Sequence, residues 1–192
     1  MMKSVLGTVT EQNLLKSFAG ESQARNRYTF FASVAKKEGY EQIAALFLET
    51  AEQEKEHAKV FFKYLEGGEL TITASFPAGM IKSTKENLIA AAAGENEEWT
   101  ILYSEAAVIA DREGFPEIAA SFRNIAIVEQ EHERRYLKLL GRLTEGDVFK
   151  REGEIWWQCR NCGYVCLAAE APELCPACKH KQAYFEPRKE NY

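Results

Sequence analysis

Two short stretches place a glutamate and a histidine three residues apart: Glu54-Lys55-Glu56-His57 and Glu129-Gln130-Glu131-His132. On a helix, that spacing puts both side chains on one face, about one turn apart. A single such pair is ordinary solvated surface. Here the chain has only three histidines, and two of them occupy the same motif. Carboxylate oxygens with imidazole can ligate a divalent metal, and the set suits iron, manganese or zinc without choosing among them. Farther along, Cys159-Arg160-Asn161-Cys162-Gly163-Tyr164 and Cys175-Pro176-Ala177-Cys178 form paired Cys-x-x-Cys knuckles. Two such turns present four thiolates to one tetrahedral ion, iron or zinc. All five cysteines lie between Cys159 and Cys178. Such clustering in a reducing compartment points to metal and not to disulfides. Cys166 stands outside the knuckles and reads as structural. His180 reads as exposed.

The elements that must carry these groups are helices. Residues 1–146 read as helix, interrupted near 67–82. The first helix starts near Thr10, with Thr8 or Thr10 as its cap, and stops at Gly39, since glycine readily takes the left-handed cap conformation. The second runs from about Glu41 to Glu66. The β-branched stretch that follows ends in Pro77 and reads as a connection. The third helix opens at Ser83 with Glu86 three residues on, a capping box, and ends near Gly114. Pro116 suits the first turn of the fourth, which ends near Gly146. Short links at 39–40 and 114–116 make two antiparallel hairpins, and the longer link crosses between them. This is the single-crossover topology of a ferritin-like bundle.

The hairpins repeat. Ala35-Lys36-Lys37-Glu38-Gly39-Tyr40 matches Ala110-Asp111-Arg112-Glu113-Gly114-Phe115 at an offset of 75, which carries on without a gap from Glu54 and His57 to Glu129 and His132. Architecture alone explains the repeated apolar positions but not the repeated Glu and His. The other two helices supply Glu21 and Glu95 at matching places. A Glu-x-x-His on each of two helices and a Glu on each of the others is the pattern of di-metal carboxylate bundles. Two divalent cations would balance Glu21, Glu54, Glu95 and Glu129, whose burial unpaired would be very costly.

The symmetry fails in two places. Glu21 and Glu95 are 74 apart, whereas Tyr28 and Tyr103 are 75 apart. The extra residue between Glu95 and Tyr103 predicts a π-bulge. Glu98, three residues after Glu95, also falls on the face toward the site, as a candidate fifth carboxylate or else a solvated residue. Tyr28 and Tyr103 fall on the same faces, placed to bond the ligands or simply to pack. Glu52, Glu56, Glu131 and Glu133 read as surface.

From about Gly153 the character changes to strand-forming and aromatic residues. The expected division is a bundle over 1–146, a charged linker over 147–152 and a small β-rich domain over 153–192. The 192 residues, 46% hydrophobic and 28% charged, fit a soluble globular protein. The net charge of −5 argues against nucleic acid as a partner. No apolar run reaches the ~18–20 residues of a membrane span. Met1-Met2-Lys3-Ser4-Val5-Leu6-Gly7 lacks a signal peptide's apolar stretch. The expected location is therefore the cytoplasm.

Glu21, Glu54-x-x-His57, Glu95-x-x-Glu98, Glu129-x-x-His132 and the knuckles Cys159-x-x-Cys162-Gly163-Tyr164 and Cys175-Pro176-x-Cys178, in this order, resemble the rubrerythrins over essentially the whole chain. The resemblance implies a non-haem di-iron peroxidase that reduces hydrogen peroxide to water and protects against oxidative stress. It implies two irons in the bundle and a third on Cys159, Cys162, Cys175 and Cys178, in a rubredoxin-like domain that relays electrons. Glu54 and Glu129 would bridge the irons. Glu21 would bind one, and Glu95 and His132 the other. His57 and Glu98 would exchange on the first iron with oxidation state. A homodimer is implied, with one subunit's cysteine iron near the other's di-iron site. So is an external electron donor such as rubredoxin or a reductase, linked to NADH through carriers. Two rival readings are a ferritin-like ferroxidase, which does not need the four-cysteine centre, and a non-catalytic metal-binding or zinc-ribbon interaction protein, which does not need Glu98.

Overall fold

The computed structural model describes residues 3–191. Met1 and Met2, which open the stretch read above as lacking a leader, lie outside the described residues, as does Tyr192. Helix α1 spans Val9–Lys37 and α2 Glu41–Lys63. Helix α3 spans Thr84–Glu97, a π-helical segment Glu98–Leu102, α4 Tyr103–Arg112 and α5 Pro116–Glu145. The four-helix, single-crossover bundle is thus present, with the segment between α2 and α3 free of helix and strand.

The caps explain where the helices start. The Thr8 side chain accepts from the Glu11 N–H, so Thr8 and not Thr10 caps α1. Ser83 and Glu86 form the expected capping box on α3. The hairpin glutamates do more than the sequence suggested. Glu113 accepts from the Val9 and Thr10 N–H groups at 3.1 and 2.8 Å. Its repeat counterpart Glu38 accepts from the Thr84 N–H at 3.0 Å. Each hairpin turn therefore satisfies free N-terminal donors on the other hairpin. The turns themselves repeat closely: Tyr40 has φ −115°, ψ 69° and Phe115 φ −116°, ψ 66°.

Helix α2 ends at Lys63, three residues short of the expected Glu66. The reason is tertiary. Glu66 turns back to accept from the Val5 N–H and the Ser4 hydroxyl, each at 2.7 Å.

The expected π-bulge lies at 98–102. An α-helix turns roughly 100° per residue, so seven residues return to nearly the same face and eight do not. The wider π turn absorbs the extra residue, which lets Glu95 and Tyr103 both face inward. The Ser104 hydroxyl donates to the Trp99 carbonyl at 2.8 Å, within the loosened turn.

Two apolar clusters fill the bundle. One gathers Tyr28, Phe31, Phe47, Leu88 and Tyr136. The other gathers Leu14, Phe61, Tyr103, Phe115 and Phe122. The C-terminal part is a three-stranded antiparallel sheet in the order β2-β1-β3, with β1 Lys150–Cys159, β2 Val165–Glu170 and β3 Phe185–Pro187. Strand β1 begins inside the stretch read as a linker. Trp157, Cys159, Ala171, Cys175 and Phe185 form the sheet's own core. Phe149 stacks on Tyr40 with ring centroids 6.3 Å apart, so the sheet sits at the Gly39 end of the bundle.

Candidate metal centres

Glu21 on α1, Glu54 and His57 on α2, Glu95 on α3, and Glu129 and His132 on α5 converge inside the bundle. All four carboxylates are fully buried and His132 nearly so. Among the described residues, their ligand atoms fall into two overlapping groups. Glu21, Glu54, His57 and Glu129 make one, and Glu54, Glu95, Glu129 and His132 the other, each within 4.8 Å. Glu54 and Glu129 belong to both. His57 Nδ1 lies 3.1 Å from Glu54 Oε2 and 2.8 Å from Glu129 Oε1. His132 Nδ1 lies 3.2 Å from Glu54 Oε1 and 2.7 Å from Glu129 Oε2. Each shared carboxylate thus turns one oxygen to each half of the site.

Tyrosines hold the two unshared carboxylates. Tyr28 donates to Glu95, and Tyr103 donates to Glu21, so each hairpin's tyrosine serves the other hairpin's glutamate. Burial and the nearby Glu54 and Glu129 push Glu21 well above the ordinary carboxylate range. Burial and Glu54 raise Glu95 to about 8. Burial opposes charge on Glu54, but the adjoining His132 and His57 draw it down to about 2. Burial likewise opposes charge on the histidines, yet the carboxylates, Glu129 first, raise His57 to about 9 and His132 to about 12. Without metal, protons supply the positive charge that this cluster demands.

The residues fit two cations. Glu21 Oε2, Glu54 Oε1, Glu95 Oε2, both Glu129 oxygens and His132 Nδ1 are buried without a hydrogen-bond partner. That many orphaned acceptors in one place is very costly unless cations meet them.

Glu98 is not in either ligand group. It opens the π segment and lines a cavity of about 370 Å³ with Arg27, Gly94, Tyr103 and Phe76. Burial, with Glu95 adding, raises its carboxyl well above the usual range. His57, not Glu98, completes the Glu21 half in this structure.

Other expectations shift. Glu133, read as surface, is half-buried and accepts from Trp99 Nε1 at 2.6 Å, tying the π segment to α5. Glu52, Glu56 and Glu131 are exposed and paired with Lys55, Lys59 and Arg134. His180 is half-buried, edge-on to Tyr184 with ring centroids 4.6 Å apart. Gln53 was missed. Its Oε1 accepts from His132 Nε2 at 2.9 Å. The available signal was the mismatch of Gln53 with Val128 inside otherwise parallel motifs.

Cys159, Cys162, Cys175 and Cys178 bring their sulfurs within 4.8 Å of one another. The two knuckles are near copies. Gly163 N–H donates to the Cys159 carbonyl and Lys179 N–H to that of Cys175, each at 2.9 Å. Both residues have left-handed backbone, φ 79° and 62°. Donation from the His180 N–H draws the Cys178 thiol down to about 6. Although the Tyr164 N–H donates to Cys162, the neighbouring sulfurs, Cys178 first, push that thiol up to about 12. A tetrahedral cation would let all four ionise together. Cys166 is half-buried, outside this group.

Comparison with known proteins agrees with both sites. The sequence matches the family profile described as Rubrerythrin over residues 12–140, and that described as Rubrerythrin, rubredoxin-like domain, over residues 157–186. It is 71% identical over 192 residues to a rubrerythrin of Porphyromonas gingivalis, covering 100% of this chain and 96% of that one. It is 56% identical over 185 residues to a rubrerythrin of Nitratidesulfovibrio vulgaris, covering 96% and 97%. The solved fully reduced, all-ferrous state of nigerythrin matches with a TM-score of 0.64 at 31% identity, covering 97% of this chain and 89% of that one.

Proposed function

Because this chain belongs to the rubrerythrin family, with a di-iron carboxylate site and a four-cysteine rubredoxin-like site, we propose that it reduces hydrogen peroxide to water and so protects the cell from oxidative stress. The observation that carries this reading is the pairing, in one chain, of two ligand groups that share Glu54 and Glu129 with a separate cage of four thiols. The shared carboxylates suit a two-electron reaction at adjacent ions, and the thiol cage suits an electron relay.

Iron in these places supplies one-electron steps, two of which together deliver the electron pair that O–O cleavage needs without releasing a hydroxyl radical. The chain's own residues do the rest. Glu54 and Glu129 would hold both ions, with Glu21 and His57 completing one group of ligands and Glu95 and His132 the other. Tyr28 and Tyr103 fix Glu95 and Glu21 by donating their hydroxyl protons. His57 and Glu98 would be alternative ligands of the Glu21 half, the neutral imidazole suiting the reduced charge and the carboxylate the oxidised one. The cavity beside Glu98 and Tyr103 would hold a small oxidant next to the tyrosine that bonds Glu21. Cys159, Cys162, Cys175 and Cys178 would hold the relay iron, which an external donor such as rubredoxin or a reductase drawing on NADH would feed. The working unit is a cytoplasmic homodimer, built from a bundle over 1–146, a joint at 147–152 and a rubredoxin-like domain over 153–192.

The test is the iron-loaded, fully reduced chain under anaerobic conditions. It should contain about three irons per chain by the ligand count and be reoxidised by peroxide faster than by dioxygen. Oxidation by dioxygen alone, with iron released as product, would instead identify a ferroxidase.

A further inference from the structure

The two Glu-x-x-His motifs are not equivalent, and the difference lies one residue before each glutamate. On α2 that residue is Gln53. On α5 the repeat-related residue is Val128. The Gln53 amide oxygen accepts from His132 Nε2 at 2.9 Å. With Nε2 held by Gln53, the ring turns Nδ1 toward Glu54, Glu95 and Glu129, where a bound cation would take the place of its proton. That nitrogen is buried and has no hydrogen-bond partner. A histidine's second ring nitrogen sets the tautomer and the aim of the first.

Among the described residues, no side chain holds His57 Nε2 in this way. The place that corresponds to Gln53 across the repeat is held by Val128, whose side chain accepts nothing. All three ion-pair contacts of His57 run through Nδ1. Its side chain is 11% exposed, against 2% for His132.

We propose that Gln53 is a positioning residue that fixes the tautomer and aim of His132 in the di-metal site, a hold that Val128 cannot supply at the repeat-related position. The inference rests on the di-metal reading of the site. It does not depend on peroxide as the oxidant.

The experiment is Co(II) titration of the metal-free full chain, followed by visible absorption. The four-cysteine site takes its own equivalent, with thiolate-to-metal bands, and serves as an internal reference. His57→Ala and His132→Ala mark which bundle equivalent belongs to which imidazole. Gln53→Leu should weaken the His132 equivalent by about ten- to a hundredfold and leave the cysteine equivalent unchanged. Gln53→Glu should restore it, because a carboxylate accepts the same hydrogen bond at least as strongly. Val128→Gln should tighten the His57 equivalent. Parental affinity for both bundle ions in Gln53→Leu would overturn the proposal. If Gln53→Leu loses its helical circular dichroism, the other two variants decide. A weakened His132 ion in Gln53→Glu with an unchanged His57 ion in Val128→Gln would overturn it equally. Peroxide turnover plays no part, so failure here leaves the peroxidase reading standing, and failure of that reading leaves this one standing.

Discussion

Tyr28 donates its hydroxyl to Glu95, 67 residues away on the other hairpin, and both are fully buried. Tyr103 does the same for Glu21. Removing either hydroxyl leaves a buried carboxylate oxygen without its donor, at a cost of about 1–3 kcal/mol. Tyr28→Phe and Tyr103→Phe should each lose stability of that order in urea unfolding of the metal-free protein. A loss of a few tenths would mean that neither bond matters to folding.

Glu98 and His57 should respond oppositely to removal. Glu98→Ala should keep ferrous affinity near the parental value, since His57 already completes the Glu21 half. Its oxidised site should bind more weakly and its reduction potential should rise. His57→Ala should weaken ferrous binding more than ferric. One unit charge about 4 Å from an ion is worth about 4 kcal/mol at an effective dielectric of 20. Iron affinities of both variants in both oxidation states are the measurement, and equal weakening of the two states would end the exchange idea.

The metal-free protein should be most stable in mild acid. Glu95 is raised to about 8 from 4.5, and His57 to about 9 and His132 to about 12 from 6.5. A raised group binds its proton more tightly when folded. Its contribution is complete below the unfolded value and fades as pH climbs through the folded one. Glu54, drawn down to about 2, behaves in reverse and loses its contribution as pH falls from 4.5 toward 2. Stability should therefore peak near pH 4.5 and decline in stages to pH 9 and above. Bound cations replace those protons, so the metal-loaded protein should lack the alkaline decline. Thermal unfolding of both forms between pH 5 and 10 checks this, and parallel curves would contradict it.

Glu113 accepts from two N-terminal amides of α1. Glu113→Ala should cost about 1 kcal/mol, as the loss of a helix cap does. Glu38→Ala should behave alike at α3, where one amide is served. The two sites share no partner, so the losses should add within about 0.5 kcal/mol in the double variant. Denaturant midpoints for the three variants suffice.

Cys159→Ser with Cys162→Ser should separate the two centres. The bundle has its own ligands and cores, so it should still take two irons and consume one equivalent of peroxide when reduced. Turnover with an external donor should fall at least about tenfold, because re-reduction loses its relay. Unchanged turnover would show that electrons bypass the cysteines.

The period and punctuation of the chain were enough for four helices, their hairpin links and the crossover, because apolar spacing, Gly39, Gly114, Ser83 and Pro116 act locally. The duplication exposed Glu21, Glu54, His57, Glu95, Glu129 and His132 together, and the one-residue offset before Tyr103 exposed the π segment. Cys-x-x-Cys spacing was equally local. What residue order could not supply was contact between distant segments. Helix α2 stops early because Glu66 answers Ser4 and Val5. Glu38 and Glu113 cap helices that begin 46 and 104 residues from them. Gln53 meets His132 across 79 residues. The choice of His57 over Glu98 in the Glu21 half was also decided in three dimensions. Glu54-x-x-His57 and Glu95-x-x-Glu98 present their second side chain at the same spacing, but only packing sets which one reaches the shared oxygens of Glu54 and Glu129 and which faces the cavity beside Arg27.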